Sequence, residues 1–454
     1  MGALLSVIAL PAVGSIGSCI VSCCSAAACS LACQNCLSSH SILTRSLYVV
    51  IFIFNTIIAW LMMSDWAVNL LSSRLLGYLH MECQDAACYG VVAAHKVCFA
   101  IVIFHMLLGL LVLGVRDSRE KRAVIQNGGW GFKVIFWLGL VTGSIFIPNE
   151  FIFVWGNYIS LIGAFLFIIF GLLLLLDIAQ AWTEICLDKL MASENNRWKY
   201  MLIGTTLSQF SGMTTLTGLL YGFYGTNGCT LDLFLISFNL ALTLFVTLLC
   251  FFPAIQEASP QSGLSQASIV TFYCTYQVFS AVANRGNDES CSPQSIGLEI
   301  VAVVLGTVIS FAILVYLATR SGSQEIPYDG ERGTSREYLV QSVDHGTIPR
   351  SNLDRYDEQE ELSGTVYSYS FFHFIMAIAA MYAALLITRC SIPKTGHRNK
   401  IVVETQPTEL VKIEHTYAAV WIKIVSSWIS YALYVWTLVA PIMMPDRFLV
   451  SSSL

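Results

Sequence analysis

Charge is what this sequence has least of. Asp, Glu, Lys and Arg make up 12% of its 454 residues, about half the ~25% usual in soluble globular domains. With 56% hydrophobic residues, there are too few polar groups to cover the surface of so long a chain. That excludes a water-soluble enzyme, a secreted disulfide-rich domain and a nucleic-acid binder. The 24 basic and 29 acidic residues nearly cancel, for a net charge of −5, so no electrostatic partner follows. The opening MGALLSVIALPAVGSIGS lacks the basic stretch of a cleavable signal peptide, so membrane entry is expected to depend on the first true span. No Asn-x-Ser/Thr site occurs to report orientation. No His/Cys/Asp constellation has convincing metal-ligand spacing and no phosphate cradle is present. No cofactor, metal or covalent catalytic site is therefore expected.

What the chain does have is long apolar runs. Ten can be read, at 43–63, 97–115, 134–155, 158–176, 200–221, 231–253, 264–283, 295–318, 371–388 and 418–440. Each is close to the ~17–25 residues a helix needs to cross hydrocarbon. They are continuously apolar and do not alternate, which favours helices over barrel strands. The expected fold is all-α, a polytopic membrane protein with about ten transmembrane helices. Residues 1–42 form a Cys-rich, membrane-associated start. Helices one to eight fall within 43–319, and a flexible acidic cytoplasmic loop occupies 320–369. Helices nine and ten fall within 370–440, before a short tail at 441–454. The third run is the weakest, since only 14 residues separate Lys133 from Pro148. It either crosses with Pro148, Asn149 and Glu150 at one end, or breaks there.

Placing both termini in the cytoplasm puts 15 of the 24 basic residues on the cytoplasmic side and 9 on the other, as the positive-inside rule requires. Cys83, Cys88, Cys229, Cys291 and Cys390 then face the oxidising side, where bridges form. Near the start, Gly2 with Ser6 fits a loose myristoylation pattern, and Cys23 and Cys24 are candidates for palmitoylation. Cys23, Cys29, Cys33 and Cys36 can be drawn as a metal site, but no histidine supports it; an eleventh span is the other alternative.

Ionisable groups inside apolar spans usually face a bundle interior or a wet path. The foremost are on the fourth run, which continues as DIAQAWTEICLDKLM without Pro or Gly. Asp177, Gln180 and Glu184 share a face there at helical spacing. They mark either a polar groove or ion site, or simply the interfacial end of the helix. His105, Glu150, Asp232 and Glu299 are secondary candidates; Asp232 and Glu299 sit near helix starts, where the dipole favours a negative charge. The fifth and seventh runs are rich in small and hydroxylated residues, among them Tyr273, Tyr276 and Ser280. Close helix packing is the default reading of these, and a partly wet headgroup path is the alternative.

Several stretches together carry a resemblance. They are the MGA start with its cysteine-rich continuation, SILTRSLY with Arg45, and RAVIQNGGWGFK with Asn127, Trp130 and Lys133. DIAQAWTE, NGCTLDLFLISFN, GLSQASIVTFYCTYQVFSAVAN, SVDHG and YSYSFFHFIMAIAAMYAALLIT complete the set. The chain resembles a fungal member of the serine incorporator family along its whole length. It departs from the family pattern at Ala94, His95 and Lys96, and again at Gln277 and Val278, where apolar residues are more usual. The resemblance implies ten helices in two helical subdomains joined by a long diagonal fourth helix. It implies a lipid-handling role, either non-energised phospholipid scrambling or facilitated serine incorporation into phosphatidylserine and sphingolipids. The partners it implies are membrane phospholipids and serine-using lipid biosynthetic enzymes. The location it implies is the endoplasmic reticulum, Golgi, vacuole or plasma membrane.

Overall fold

A computed structural model describes residues 41–74, 86–115, 120–193, 196–225, 229–258, 263–283, 296–319, 367–388, 391–396, 410–415 and 417–443. Gly2, Cys23, Cys24 and the other cysteines before residue 37, the loop 320–366, and Cys83, Cys291 and Cys390 lie outside the described residues.

The chain is a polytopic all-α protein. In order, its helices are α1 (Ser41–Met62), α2 (Asp65–Arg74), α3 (Ala86–Leu111), α4 (Ala123–Asn127) and α5 (Trp130–Ser144). Next come α6 (Asn149–Val154), a π-helical turn (Trp155–Ile159), α7 (Ser160–Ser193), α8 (Arg197–Tyr224), α9 (Thr230–Leu249), α10 (Pro253–Ala258) and α11 (Leu264–Ala283). After α12 (Ile296–Thr319) and α13 (Tyr369–Ile387), a two-stranded antiparallel ribbon pairs β1 (Ser391–Gly396) with β2 (Leu410–His415). The last helix is α14 (Tyr417–Met443). Among the described residues, seven stretches are long and apolar enough to cross a membrane. Three further helices stand where spans were expected and fall outside that set. α5 has only 15 residues, while α8 and α11 are diluted by hydroxyls and amides whose placement is described below.

The third apolar run does break. α5 ends by tightening: Ile145 N, Phe146 N and Ile147 N donate to the carbonyls three residues back at 3.1–3.3 Å. The Lys96 ammonium donates to the Ile145 carbonyl at 3.1 Å, placing positive charge where a helix end accumulates negative dipole. Pro148 then precedes α6 in extended geometry (φ −56°, ψ 145°), a position where its missing N–H costs nothing. Residues from Asn149 on therefore belong to the fourth helix, which corrects the expected boundary at 155. With the π-turn absorbed, the apolar helical stretch runs Phe151–Met191, 41 residues. At ~1.5 Å per residue it is about 60 Å long, roughly twice a hydrocarbon thickness.

The chain divides into two compact units. The smaller takes residues 1–51, 107–135 and 318–373, and its described core is built around one side chain. Gln126 is fully buried. Its carbonyl accepts from Tyr48 Oη at 3.1 Å and from Lys133 Nζ at 2.8 Å. Its amide donates to Tyr367 Oη at 2.9 Å, and Oε1 lies 2.8 Å from His373 Nε2. Aromatic faces complete the shell: Lys133 Nζ sits 4.2 Å from the Trp130 ring centre and 5.0 Å from that of Tyr48, and Arg45 Cζ lies 4.6 Å over Tyr367. The turn into α5 that makes this possible needs Gly129 at φ 69°, a conformation that disfavours other residues.

The larger unit, residues 52–106, 136–317 and 374–454, is centred on α11. That helix is polar yet almost wholly buried, packed against α7, α8, α9 and α14. Several of its polar groups find partners within the protein. Asn239 Nδ2 donates to Thr275 Oγ1 at 3.0 Å, and Tyr431 Oη donates to Asn239 Oδ1 at 3.3 Å. Elsewhere the helices approach closely: a Cβ added at Gly163 would clash with Met381 Sδ and fall 3.0 Å from its Cβ.

Two outcomes follow. Gln126→Leu removes the side-chain hydrogen bonds to Tyr367 and His373 and should destabilise by about 2–4 kcal/mol, read as a lowered melting temperature of the purified protein, with Tyr367→Phe costing less. Gly163→Val should destabilise by about 1–3 kcal/mol through overpacking, and pairing it with Met381→Ala should recover part of the loss.

Candidate functional site

The surface of a membrane-embedded helix is normally apolar, and the exposed side of most helices here obeys that rule. Phe132, Ile135, Leu138, Ile162, Leu244, Phe245, Leu248 and Val308 are all exposed. The exception is α8. Its buried face, Met213, Leu216, Thr217, Leu220 and Tyr224, follows helical spacing. It packs on α11 closely enough that a Cβ at Gly212 would meet the Phe272 ring at 2.8 Å.

The other face carries Gly204, Ser208, Ser211, Thr215, Gly218 and Gly222, all exposed and alternating in steps of four and three residues. That spacing aligns them in one stripe, about 27 Å long at ~1.5 Å per residue. Nothing lies within 4 Å of a Cβ placed on Gly204, Gly218 or Gly222. Two of the three hydroxyl hydrogens are used within the helix: Ser208 Oγ donates to the Thr205 carbonyl and Thr215 Oγ1 to the Ser211 carbonyl, both at 2.8 Å. This back-bonding lets hydroxyl residues sit in a helix facing lipid, and it leaves their lone pairs turned outward as acceptors.

At one end the stripe meets α7. Trp182 Nε1 donates to Thr205 Oγ1 at 3.2 Å, and Lys189 Nζ lies 4.5 Å over the Trp198 ring, which aligns the two helices antiparallel. Within a turn of Trp182, Gln180 Nε2 donates to Glu184 Oε1 at 3.0 Å, and both side chains are exposed. Asp177 is half-buried on the same unbroken helix.

Tyr273, Tyr276 and Ser280 are placed differently. All three are buried, so they share no exposed surface with Gln180 and Glu184. Tyr273 Oη donates to the Ile168 carbonyl at 2.9 Å, Tyr276 Oη lies 3.3 Å from the Ala302 carbonyl and from Tyr382 Oη, and Ser280 Oγ accepts from Lys423 Nζ at 2.7 Å. The geometry makes them packing groups between helices. His105 is fully buried beside Phe104. Asp232 is buried in the first turn of α9 and Glu299 is half-buried in the first turn of α12. Glu150 occupies the second position of α6. Arg45, Asn127, Trp130 and Lys133 converge on the Gln126 cluster, with Asn127 Nδ2 at 3.5 Å from Tyr369 Oη.

Gln126 itself escaped the sequence reading because a glutamine in a basic connection looks like any solvated loop residue. Lys423 escaped because, near the start of the run 418–440, it reads as an outer-side anchor, although the structure buries it inside α14. The exposed stripe was half visible, since the glycines and hydroxyls of the fifth run stood out but their outward direction did not.

Comparison with known proteins places the chain. Residues 21–447 match the family described as Serine incorporator (Serinc). The chain is 36% identical over 409 residues to Membrane protein PB1A10.07c of Schizosaccharomyces pombe, covering 89% of this chain and 90% of the relative. It is 31% identical to Membrane protein TMS1 of Saccharomyces cerevisiae, over 99% of each chain. Serine incorporator 2 of Bos taurus is 29% identical, over 95% of this chain and 98% of its own. The chain is an integral membrane protein and belongs to the serine incorporator family.

Proposed function

We propose that this protein moves phospholipids between leaflets without an energy source, and that the exposed stripe of α8 is the path their headgroups follow. The supporting observation is the stripe itself: a line of glycines and back-bonded hydroxyls about as long as the hydrocarbon is thick, on an otherwise apolar surface. A headgroup crossing bare hydrocarbon loses its hydration. Along the stripe it keeps hydroxyl acceptors within reach, and the glycines leave room for it. Gln180 and Glu184, with Asp177 behind them, supply a polar mouth where α7 meets α8. The residues act by solvating, so no bond is made or broken.

The names of the animal relatives favour a second reading, in which the protein carries serine or gathers serine-using lipid enzymes. Its mark is saturable serine uptake or co-purification of those enzymes. For orientation we propose cytoplasmic termini. Arg45, Lys133, Lys96 and Lys423 are buried; removing them takes two from each side of the count, 15 − 2 = 13 against 9 − 2 = 7, and the excess stays at six. Cys88 and Cys229, both on the proposed outer side, are disulfide-bonded. The compartment we propose is the endomembrane system or plasma membrane.

In liposomes holding labelled phospholipid, the purified protein should let dithionite quench both leaflets. Quenching that stops at the outer leaflet would sink the scrambling reading. Ser211→Leu with Gly218→Leu should slow the exchange about tenfold, equivalent to ~1.4 kcal/mol of lost headgroup stabilisation, while melting stays near wild type because both positions are exposed. The same vesicles loaded with labelled serine test the alternative.

A further inference from the structure

The interface of α11 and α14 holds a second group of polar side chains, deep in the larger unit and away from the α8 stripe. The two helices run antiparallel: Lys423 Nζ donates to Ser280 Oγ at 2.7 Å, and further along Ser427 Oγ donates to the Cys274 carbonyl at 3.4 Å. Lys423, Ser426 and Ser430 recur at i, i+3 and i+7 and so share one face of α14. Gln277 lies one turn from Ser280 on α11. The side chains are enclosed: Ser280, Ser426 and Ser430 are 0% exposed, Gln277 1% and Lys423 3%.

Their hydrogen bonding is incomplete. Gln277 sits beside the Tyr273 hydroxyl and Ser430 beside the Cys274 thiol, yet among the described residues neither the Nε2 nor the Oε1 of Gln277, nor the hydroxyls of Ser426 and Ser430, makes a hydrogen bond of normal length. The neighbouring Tyr273 hydroxyl is committed to the Ile168 carbonyl. Lys423 uses one donor of three on Ser280, and no carboxylate among the described residues lies within 4.0 Å of its Nζ. Buried polar groups are rarely left unmade, and several together mark the place of an ion or water. A buried ammonium without a counter-charge is the costliest of these, because a water molecule satisfies a donor but not a charge.

We propose that the α11–α14 interface binds a small hydrated anion of halide size, held by the Lys423 ammonium, the Gln277 amide N–H groups and the Ser426 hydroxyl. A water between the ion and Gln277 satisfies the Oε1 acceptor, which cannot itself face an anion. Enclosure on all sides excludes a lipid headgroup. The site does not depend on the lipid path, and the two readings fail separately.

Full-length protein in nanodiscs is melted in sodium chloride, sodium bromide and sodium gluconate at equal ionic strength. The expected result is a saturable rise in melting temperature with either halide and none with gluconate. Gln277→Leu should raise the half-saturating halide concentration about tenfold, as the loss of buried hydrogen bonds to an ion predicts. Lys423→Met should abolish the effect, while the exposed control Lys199→Gln keeps it. Equal melting in halide and gluconate, or a folded Lys423→Met protein with an unchanged halide response, overturns the proposal in favour of water alone. If Lys423→Met does not fold, anomalous scattering from wild-type crystals grown in bromide decides. A peak in contact with Lys423 Nζ supports the site, and its absence overturns it.

Discussion

A polar group surrounded by hydrocarbon must find its partner inside the protein, and the arrangement of this chain follows from that requirement. α11 is among the more polar of the long helices, and it is the one enclosed by four neighbours. Its Thr275, Ser268 and Tyr273 are satisfied there by Asn239, Gln209 and the Ile168 carbonyl. The apolar helices take the outside. The usual order of a soluble protein is inverted, and the inversion makes an exposed polar line on α8 unusual enough to carry a functional reading.

The same requirement explains the smaller unit. Two cationic side chains, Arg45 and Lys133, are buried together there, and aromatic faces and one backbone carbonyl surround them. Cation–π contacts of this kind are worth more when water is excluded. Gln126 joins the first helix, the turn before α5 and the start of α13, segments that stand more than 240 residues apart at the extreme. The end of the long acidic connection, at Tyr367, is thereby fastened to a fixed point.

The helical class and the approximate position of the apolar helices were legible in the sequence because an apolar run has the length of a bilayer. The long fourth helix was legible too, from the absence of Pro and Gly between Asp177 and Met191. The start of that helix was not, since a proline at 148 is compatible with either a kinked span or a break, and what decides is Lys96 reaching the Ile145 carbonyl from a distant segment. Direction around a helix was the hardest property to read. Tyr273 and Ser211 are equally polar in the sequence, and only the identity of the packed neighbour turns one inward and the other out. Lys423 shows the same limit, because a lysine near the end of a span reads as an interfacial anchor until its surroundings are known.

The contact between Gly163 and Met381 has a chemical consequence. The thioether sulfur occupies the space a methyl group on Gly163 would need, so α7 lies directly against that sulfur. Oxidation of a methionine to its sulfoxide adds one oxygen and makes the side chain polar. At Met381 that oxygen would act as a wedge between α7 and α13, and the joint between these two helices is therefore a point where oxidative damage to a lipid bilayer would be transmitted to the protein embedded in it.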